Sequence, residues 1–134
     1  MTRPDDPEKP LRARRHILSD ALHAASDIAA LAQDPWVQIE PAWKVSLLYG
    51  MPCAFYHLLP AAYYLAARFQ DDFENAVLHA INGGGQNQSR AMLTGALVGA
   101  QVGIEGIPRR FLDGLERGQE LQQLARALAD QLPG

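Results

Sequence analysis

The chain has 134 residues, of which 48% are hydrophobic and 20% are charged, so it has the composition of one packed globular domain and not of a disordered protein. Its net charge of -3 gives no attraction to nucleic acid, and no apolar run is long enough to span a membrane. Cys53 is the single cysteine, which excludes a disulfide framework; with no signal-peptide core, this predicts a cytoplasmic protein.

The first half of the chain predicts helices of unequal length. Apolar residues at helical spacing predict a long amphipathic helix over residues 9–33, preceded by a flexible leader over residues 1–8 and ended by Asp34-Pro35. The segment 36–60 is apolar but contains Pro41, Gly50, Pro52 and Pro60, so we expect short helices joined by turns. Residues 61–69 predict a further short helix.

The second half predicts four more helices. Asp71 or Asp72 is expected to cap a helix that ends at Ile81, and a second helix follows over residues 87–104. In that second helix glycine recurs every fourth residue, at positions 95, 99 and 103, which predicts close approach of a neighbouring helix. Pro108 predicts the start of a short helix to about residue 115, and an amphipathic helix is expected over residues 119–131. No segment alternates like a strand, so the predicted fold is all-α, in one multi-helix domain over residues 1–134.

The stretch between the helices ending at residue 81 and beginning at residue 87 is the main candidate site. It reads NGGGQNQSR over residues 82–90, with three glycines followed by polar side chains at a helix start, where backbone N–H groups are free. One interpretation is a helix–helix turn with polar capping residues. The other is a ligand-binding site formed by Asn82, Gly84, Gly85, Gln86, Asn87, Gln88, Ser89 and Arg90.

A known family has the same motifs in the same order. The chain reads FENAVL at residues 73–78, NGGGQNQS at 82–89, GALVGAQVG at 95–103 and Ile-Pro at 107–108. Residues 73–115 thereby resemble the C-terminal part of the ADP-ribosylglycohydrolase family, in which the central motif is Asn-x-Gly-Gly-Asp-[Ser/Thr]-Asp-Thr. The resemblance implies an all-α, multi-helix orthogonal bundle like the C-terminal half of that family's fold. It also implies an ADP-ribose-like ligand and hydrolysis of the glycosidic bond between ADP-ribose and an acceptor.

The metal ligands implied by this resemblance are substituted. The two aspartates and the last threonine of the family motif help to hold a pair of magnesium ions, and the matching positions here are Gln86, Gln88 and Ser89. An amide supplies one oxygen but no negative charge, and a hydroxyl alone is a weak ligand. We therefore expect magnesium binding to be weak or absent, and no catalytic residue can be assigned in this chain.

Arg90 has two interpretations in the same motif, because the family usually has an apolar residue there. A guanidinium can bind a phosphate or carboxylate, or replace the missing metal charge. The alternative is an exposed arginine in the first turn of a helix, where a cation opposes the helix dipole at a cost of a few tenths of a kcal/mol.

The chain also lacks the Thr-Asp-Asp-type segment that the family's N-terminal half supplies. We expect the C-terminal half of a larger protein, a truncated gene product, or a subunit completed by another chain. Such a half would leave apolar faces on the helix over residues 9–33 and on the segment 36–60 uncovered, so self-association is expected.

Two classes of function follow. The first is a hydrolase of ADP-ribosyl glycosidic bonds, implied by the resemblance and impaired by the substituted ligands. The second is a non-catalytic domain of the same descent that binds a nucleotide-like ligand or a partner protein. His57 and His79 have no metal-ligand spacing and are expected to be satisfied within the fold, and Cys53 is expected to be a small buried residue.

Overall fold

The computed structural model describes residues 24–131, and these residues form α-helices joined by short turns. Helix α1 covers residues 24–33 of this range, and the following helices are α2 (Val45–Tyr49), α3 (Phe55–Arg68), α4 (Phe73–Asn82), α5 (Asn87–Val102), α6 (Arg109–Asp113) and α7 (Gly118–Ala129). Single 3-10 turns lie at Ala42–Lys44 and Ile104–Gly106. Within the described range there is no strand, so the all-α prediction is confirmed.

The hydrophobic core forms where α3, α4 and α5 pack against each other. Its largest cluster joins Tyr64 and Leu65 of α3 to α1 and to the 3-10 turn. Tyr64 is fully buried, and its hydroxyl oxygen accepts a hydrogen bond from the Ile39 N–H at 3.2 Å, which ties the segment before the 3-10 turn to α3. A smaller cluster of Ala66, Ala76 and Val98 joins α3, α4 and α5. These three helices are therefore the rigid frame that carries the α4–α5 connection.

Helix α3 corrects one prediction, because it begins at Phe55 and continues through Pro60 instead of starting after it. A proline inside a helix removes one backbone hydrogen bond and clashes with the preceding turn. The residues that follow Pro60 are buried, including Ala61, Tyr64 and Leu65. Burial of these residues stabilises the helix by more than the proline destabilises it. This is a tertiary effect, so the positions of proline and glycine in the sequence do not predict it.

Helix α4 begins at the predicted cap, Asp72. Its carboxylate accepts a hydrogen bond from the Asn75 N–H at 3.0 Å and another from the Asn75 side-chain amide at 2.6 Å. These bonds stabilise the ionised carboxylate and hold the pKa of Asp72 below its ordinary value, with the backbone bond as the larger cause.

We predict that Asp72→Ala lowers the free energy of unfolding by about 1 kcal/mol near neutral pH, because one N–H at the helix start loses its acceptor. The pKa of Asp72 is lower in the folded chain than in the unfolded chain, so its contribution is present above about pH 4 and is lost as pH falls below that value. Urea titrations of both proteins at pH 7 and pH 3 measure this difference. An equal deficit at both pH values would contradict it, and Asp71→Ala, at the exposed neighbour, is the matched control.

Helix α5 is buried along a different face from the one that its glycines mark. Its fully buried residues are Arg90, Thr94 and Val98, which are spaced four apart. A Cβ atom added at Gly95 or Gly99 would lie 3.5 Å or more from the nearest neighbours, which is ordinary van der Waals contact. The predicted close approach at the glycine stripe is therefore wrong for these two positions.

The remaining helices lie near their predicted limits. Helix α6 follows Pro108, and α7 lies within the predicted range 119–131 except for its first residue, Gly118. None of the described helices is long and apolar enough to cross a membrane. The predicted leader over residues 1–8 and residues 9–23 of the predicted helix over residues 9–33 lie outside the described residues.

Candidate functional site

The α4–α5 connection folds back on the segment that links α2 to α3. Gly84 and Gly85 have left-handed backbones, with φ of 67° and 58°. The Gln86 N–H donates to the Met51 carbonyl oxygen at 3.1 Å, and the Asn87 N–H donates to the Gly85 carbonyl oxygen at 2.8 Å. A Cβ at Gly85 would overlap Met51, so only glycine permits this approach. The loop is thus fixed by backbone contacts.

The residues of the predicted ligand site span the last residue of α4, this loop and the first turn of α5. Four of them are exposed, Asn82, Gly85, Gln86 and Gln88, and three are half-buried, Gly84, Asn87 and Ser89. The Asn87 side-chain amide also donates to the Ile81 carbonyl oxygen at 3.3 Å. Of the positions that match the family's metal ligands, Gln86 and Gln88 are therefore accessible and Ser89 is partly so.

Arg90 lies beneath this surface and is completely buried. Its Nε donates to the Ala80 carbonyl oxygen at 3.0 Å, and its Nη2 donates to the Gly84 carbonyl oxygen at 2.5 Å. The interpretation of Arg90 as an exposed arginine is therefore wrong. Its guanidinium joins the last turn of α4 to the glycine loop, and desolvation lowers the pKa of Arg90 from its ordinary value.

Two further polar residues, Ser46 and Thr94, lie in the same buried region and are not apparent as site residues in the sequence. A Cβ at Gly83 would overlap Ser46 Oγ and would lie 2.8 Å from Arg90 Nη2, so both groups converge on Gly83. Ser46 Oγ, Arg90 Nη1 and Thr94 Oγ1 have no hydrogen-bond partner among the described residues. One signal in the sequence could have indicated the burial of Arg90. Arg90 lies four residues before Thr94 and eight before Val98, and so on the same face of the predicted helix.

Carboxylates are missing from the sequence around this site. Segments 41–70 and 75–104 contain no aspartate or glutamate and three permanent cations, Lys44, Arg68 and Arg90. Arg68 pairs at 2.7 Å with Glu40, just outside the first segment. Residues 24–131 contain no cluster of three histidine, cysteine, aspartate or glutamate residues that could hold a metal ion. The donor set of two amides and a hydroxyl near a buried cation does not fit a magnesium pair. These ligands carry no negative charge to neutralise the magnesium ions, and the positive charge of Arg90 would repel them.

His57 and His79 have partners within the fold, as expected. The His79 Nδ1 accepts a hydrogen bond from the Trp43 N–H at 3.2 Å, and its ring stacks on Phe69 with 4.9 Å between centroids. The His57 Nδ1 contacts the Tyr49 carbonyl oxygen below Gly50. Cys53 is exposed, so the expectation of a buried cysteine is wrong.

An apolar surface borders the loop on the side of Met51. We call it the α2–α3 surface, and its exposed members are Leu47, Leu48, Met51, Phe55 and Tyr56. Phe55 and Tyr56 pack edge to face, with 5.8 Å between ring centroids. Isolated exposed apolar residues are common in proteins, but five within ten residues of the chain are candidates for a binding surface.

Comparisons with known proteins agree with the resemblance to a known family. A model of the family described as ADP-ribosylglycohydrolase matches residues 4–134. An uncharacterized protein of Archaeoglobus fulgidus is 38% identical over 85 residues, which are 63% of this chain and 24% of the relative. The chain therefore spans about a quarter of the length of that relative. No solved structure matches the chain.

Proposed function

We propose that this chain, which belongs to the ADP-ribosylglycohydrolase family, binds an ADP-ribose-like ligand at the loop of residues 82–89 without hydrolysing it by itself. The observation that supports the proposal is the accessible row of amide and hydroxyl side chains at the position of the family motif, with no carboxylate among them. Such groups can bind hydroxyls and base edges as donors or acceptors, but they cannot activate water.

Loss of catalysis follows from the chemistry that the family's metals supply. Gln86, Gln88 and Ser89 would be the residues holding magnesium here, and the chemistry that the metal would supply is polarisation of the ribose hydroxyls. Two neutral amides cannot offset the desolvation of a divalent ion as two carboxylates do. What this chain's own residues can do is orient a ligand through hydrogen bonds at the loop.

Ligand binding is expected to be independent of magnesium. By isothermal titration calorimetry, ADP-ribose should bind with the same Kd, within about threefold, in EDTA and in millimolar magnesium. Gln86→Ala and Gln88→Ala should each weaken binding about five- to tenfold, since each removes a side-chain amide from the loop. Gln119→Ala, at an exposed residue of α7, is the matched control and should leave the Kd unchanged. Loss of ADP-ribose binding in EDTA would contradict the proposal.

Titration with magnesium tests metal binding, and incubation with an ADP-ribosylated protein tests hydrolysis. We expect a magnesium Kd no tighter than millimolar and no release of ADP-ribose from a modified protein. Gln86→Asp with Gln88→Asp should tighten magnesium binding by introducing two carboxylates. Arg90 is kept in this double variant, because it holds the Gly84 carbonyl oxygen. Tight magnesium binding by the unmodified chain would show that its ligands lie elsewhere.

The α2–α3 surface supports a second candidate function, association with another polypeptide. Its five apolar residues are exposed, and one of them, Met51, lies at the loop, where its carbonyl oxygen accepts the hydrogen bond from the Gln86 N–H. We propose that the polypeptide is a second copy of this chain. Ligand binding and association are compatible, because the loop amides and the apolar side chains belong to different segments.

A further inference from the structure

We infer that the buried guanidinium of Arg90 provides, in place of a metal, the fixed positive charge for a phosphate or diphosphate group bound at the first turn of α5. The identification of that group as part of an ADP-ribose-like ligand rests on the proposed function. The binding of the anion itself does not, because it follows from charge and backbone donors in this chain.

The first step is that Arg90 has no counter-charge among the described residues. Arg90 is fully buried, its two hydrogen bonds go to neutral carbonyl oxygens, and its Nη1 has no partner among the described residues. No described ion pair includes it, and neither segment around it contains a carboxylate. An isolated buried charge is unfavourable, so a nearby anion would stabilise it and be attracted in return.

The second step is a set of donors on the accessible side of the loop. Helix α5 has 16 residues, and the N–H groups of Gln88 and Ser89 in its first turn have no carbonyl acceptor among the described residues. Free N–H groups at the start of a helix point outward and, with the helix dipole, favour an anion. The half-buried Ser89 also carries a hydroxyl. Two backbone donors and a hydroxyl are suited to the oxygens of a phosphate.

The third step is the position of the Arg90 guanidinium relative to the glycine loop and the first turn of α5. The Arg90 Nη2 donates to the Gly84 carbonyl oxygen, so the guanidinium lies under the glycine loop. Arg90 also directly follows Ser89 in the chain. Gly83 is itself buried and leaves no space for a side chain between Ser46 and Arg90. The anion therefore binds on the solvent side of the loop. Arg90 is a positioning residue that acts through the backbone and its charge without touching the ligand.

The test is an NMR titration of ¹⁵N-labelled protein, with pyrophosphate, ADP-ribose and adenosine as separate probes. In the unmodified protein, pyrophosphate and ADP-ribose should shift the amide signals of Gln88 and Ser89, and adenosine should shift them far less. This comparison needs no variant. Pyrophosphate shifts confined to other parts of the chain would overturn the inference.

Variants separate charge from structure. Arg90→Met should weaken pyrophosphate binding at least tenfold, whereas Arg109→Met removes the same charge from a side chain that is 90% exposed and should change it less than twofold. Arg90→Lys should recover most of the affinity if charge is what matters, although a lysine cannot make both carbonyl contacts. Equal failure of Arg90→Lys and Arg90→Met, with both folded by circular dichroism, would overturn the inference.

The same titrations distinguish this inference from the proposed function. ADP-ribose bound equally well by the unmodified protein and Arg90→Met would overturn the inference and leave the proposed function standing. Pyrophosphate bound at Gln88 and Ser89, with ADP-ribose no tighter than pyrophosphate, would support the inference and contradict the proposed function.

Discussion

Gly85→Ala is expected to destabilise the protein much more than Gly84→Ala, although both glycines have left-handed backbones. The left-handed backbone costs an alanine about 1–2 kcal/mol at either position. At Gly84 the nearest atom to an added Cβ is Met51 Sδ at 3.7 Å, the end of a flexible side chain. At Gly85 the Cβ would overlap Met51 and lie 2.7 Å from its carbonyl oxygen, so the backbone must move. We expect a further loss of about 1–3 kcal/mol there.

Urea unfolding followed by circular dichroism measures both losses. Gly84→Ala is the control for the backbone alone, because the nearest atom to its added Cβ lies 3.7 Å away. Its loss should stay near about 1–2 kcal/mol, below that of Gly85→Ala. Equal losses for Gly84→Ala and Gly85→Ala would mean that the contact between Gly85 and Met51 is absent in solution.

The sequence predicted the helices that have strong local signals. An acidic cap marks the start of α4, three glycines separate α4 from α5, and Pro108 precedes α6. Each signal acts within one helical turn, so a single sequence contains enough information to place the boundary. The predicted start of α3 was wrong. Pro60 indicates a helix break, but burial of residues that are far apart in the chain opposes that break.

The sequence predicted the position of the candidate site but not the buried residues beneath it. The polar residues 86–89 are recognisable because they follow glycines at a helix start, where side chains are accessible. Arginine is rarely fully buried, so nothing in the residue type indicates that Arg90 lies under the loop. Ser46 lies more than thirty residues before Gly83, and only the tertiary fold brings the two together.

The buried side chain of Arg90 helps to hold the loop in its observed shape. Three contacts to backbone oxygens fix this segment: Arg90 to the Ala80 and Gly84 carbonyl oxygens, and the Gln86 N–H to the Met51 carbonyl oxygen. A hydrogen bond from a charged group contributes about 1.5–3 kcal/mol, so these bonds can hold the loop in one conformation. Simple removal of Arg90 would therefore affect the loop as well as the charge, which is why Arg90→Lys is needed beside Arg90→Met.

We expect the protein to self-associate through the α2–α3 surface, and Leu48→Glu to abolish this association. Leu48 is 67% exposed in the isolated chain, next to Leu47 and close in sequence to Met51 and Phe55. Covering such side chains with those of a second copy removes apolar area from water, at about 25 cal/mol per Å². A carboxylate buried in that interface would weaken association at least about 30-fold, or about 2 kcal/mol.

Sedimentation velocity over a wide protein concentration range measures the effect. The matched control is Leu124→Glu, which places the same charge on α7 at a leucine that is 59% exposed. The unmodified protein and Leu124→Glu should both form a reversible dimer, while Leu48→Glu stays monomeric and keeps its helical circular dichroism spectrum. If Leu124→Glu alone abolishes association, the contact lies on the leucine face of α7. A compact monomer at every concentration would instead mean that the α2–α3 surface does not bind a second copy, because an apolar surface available for pairing should associate as concentration rises.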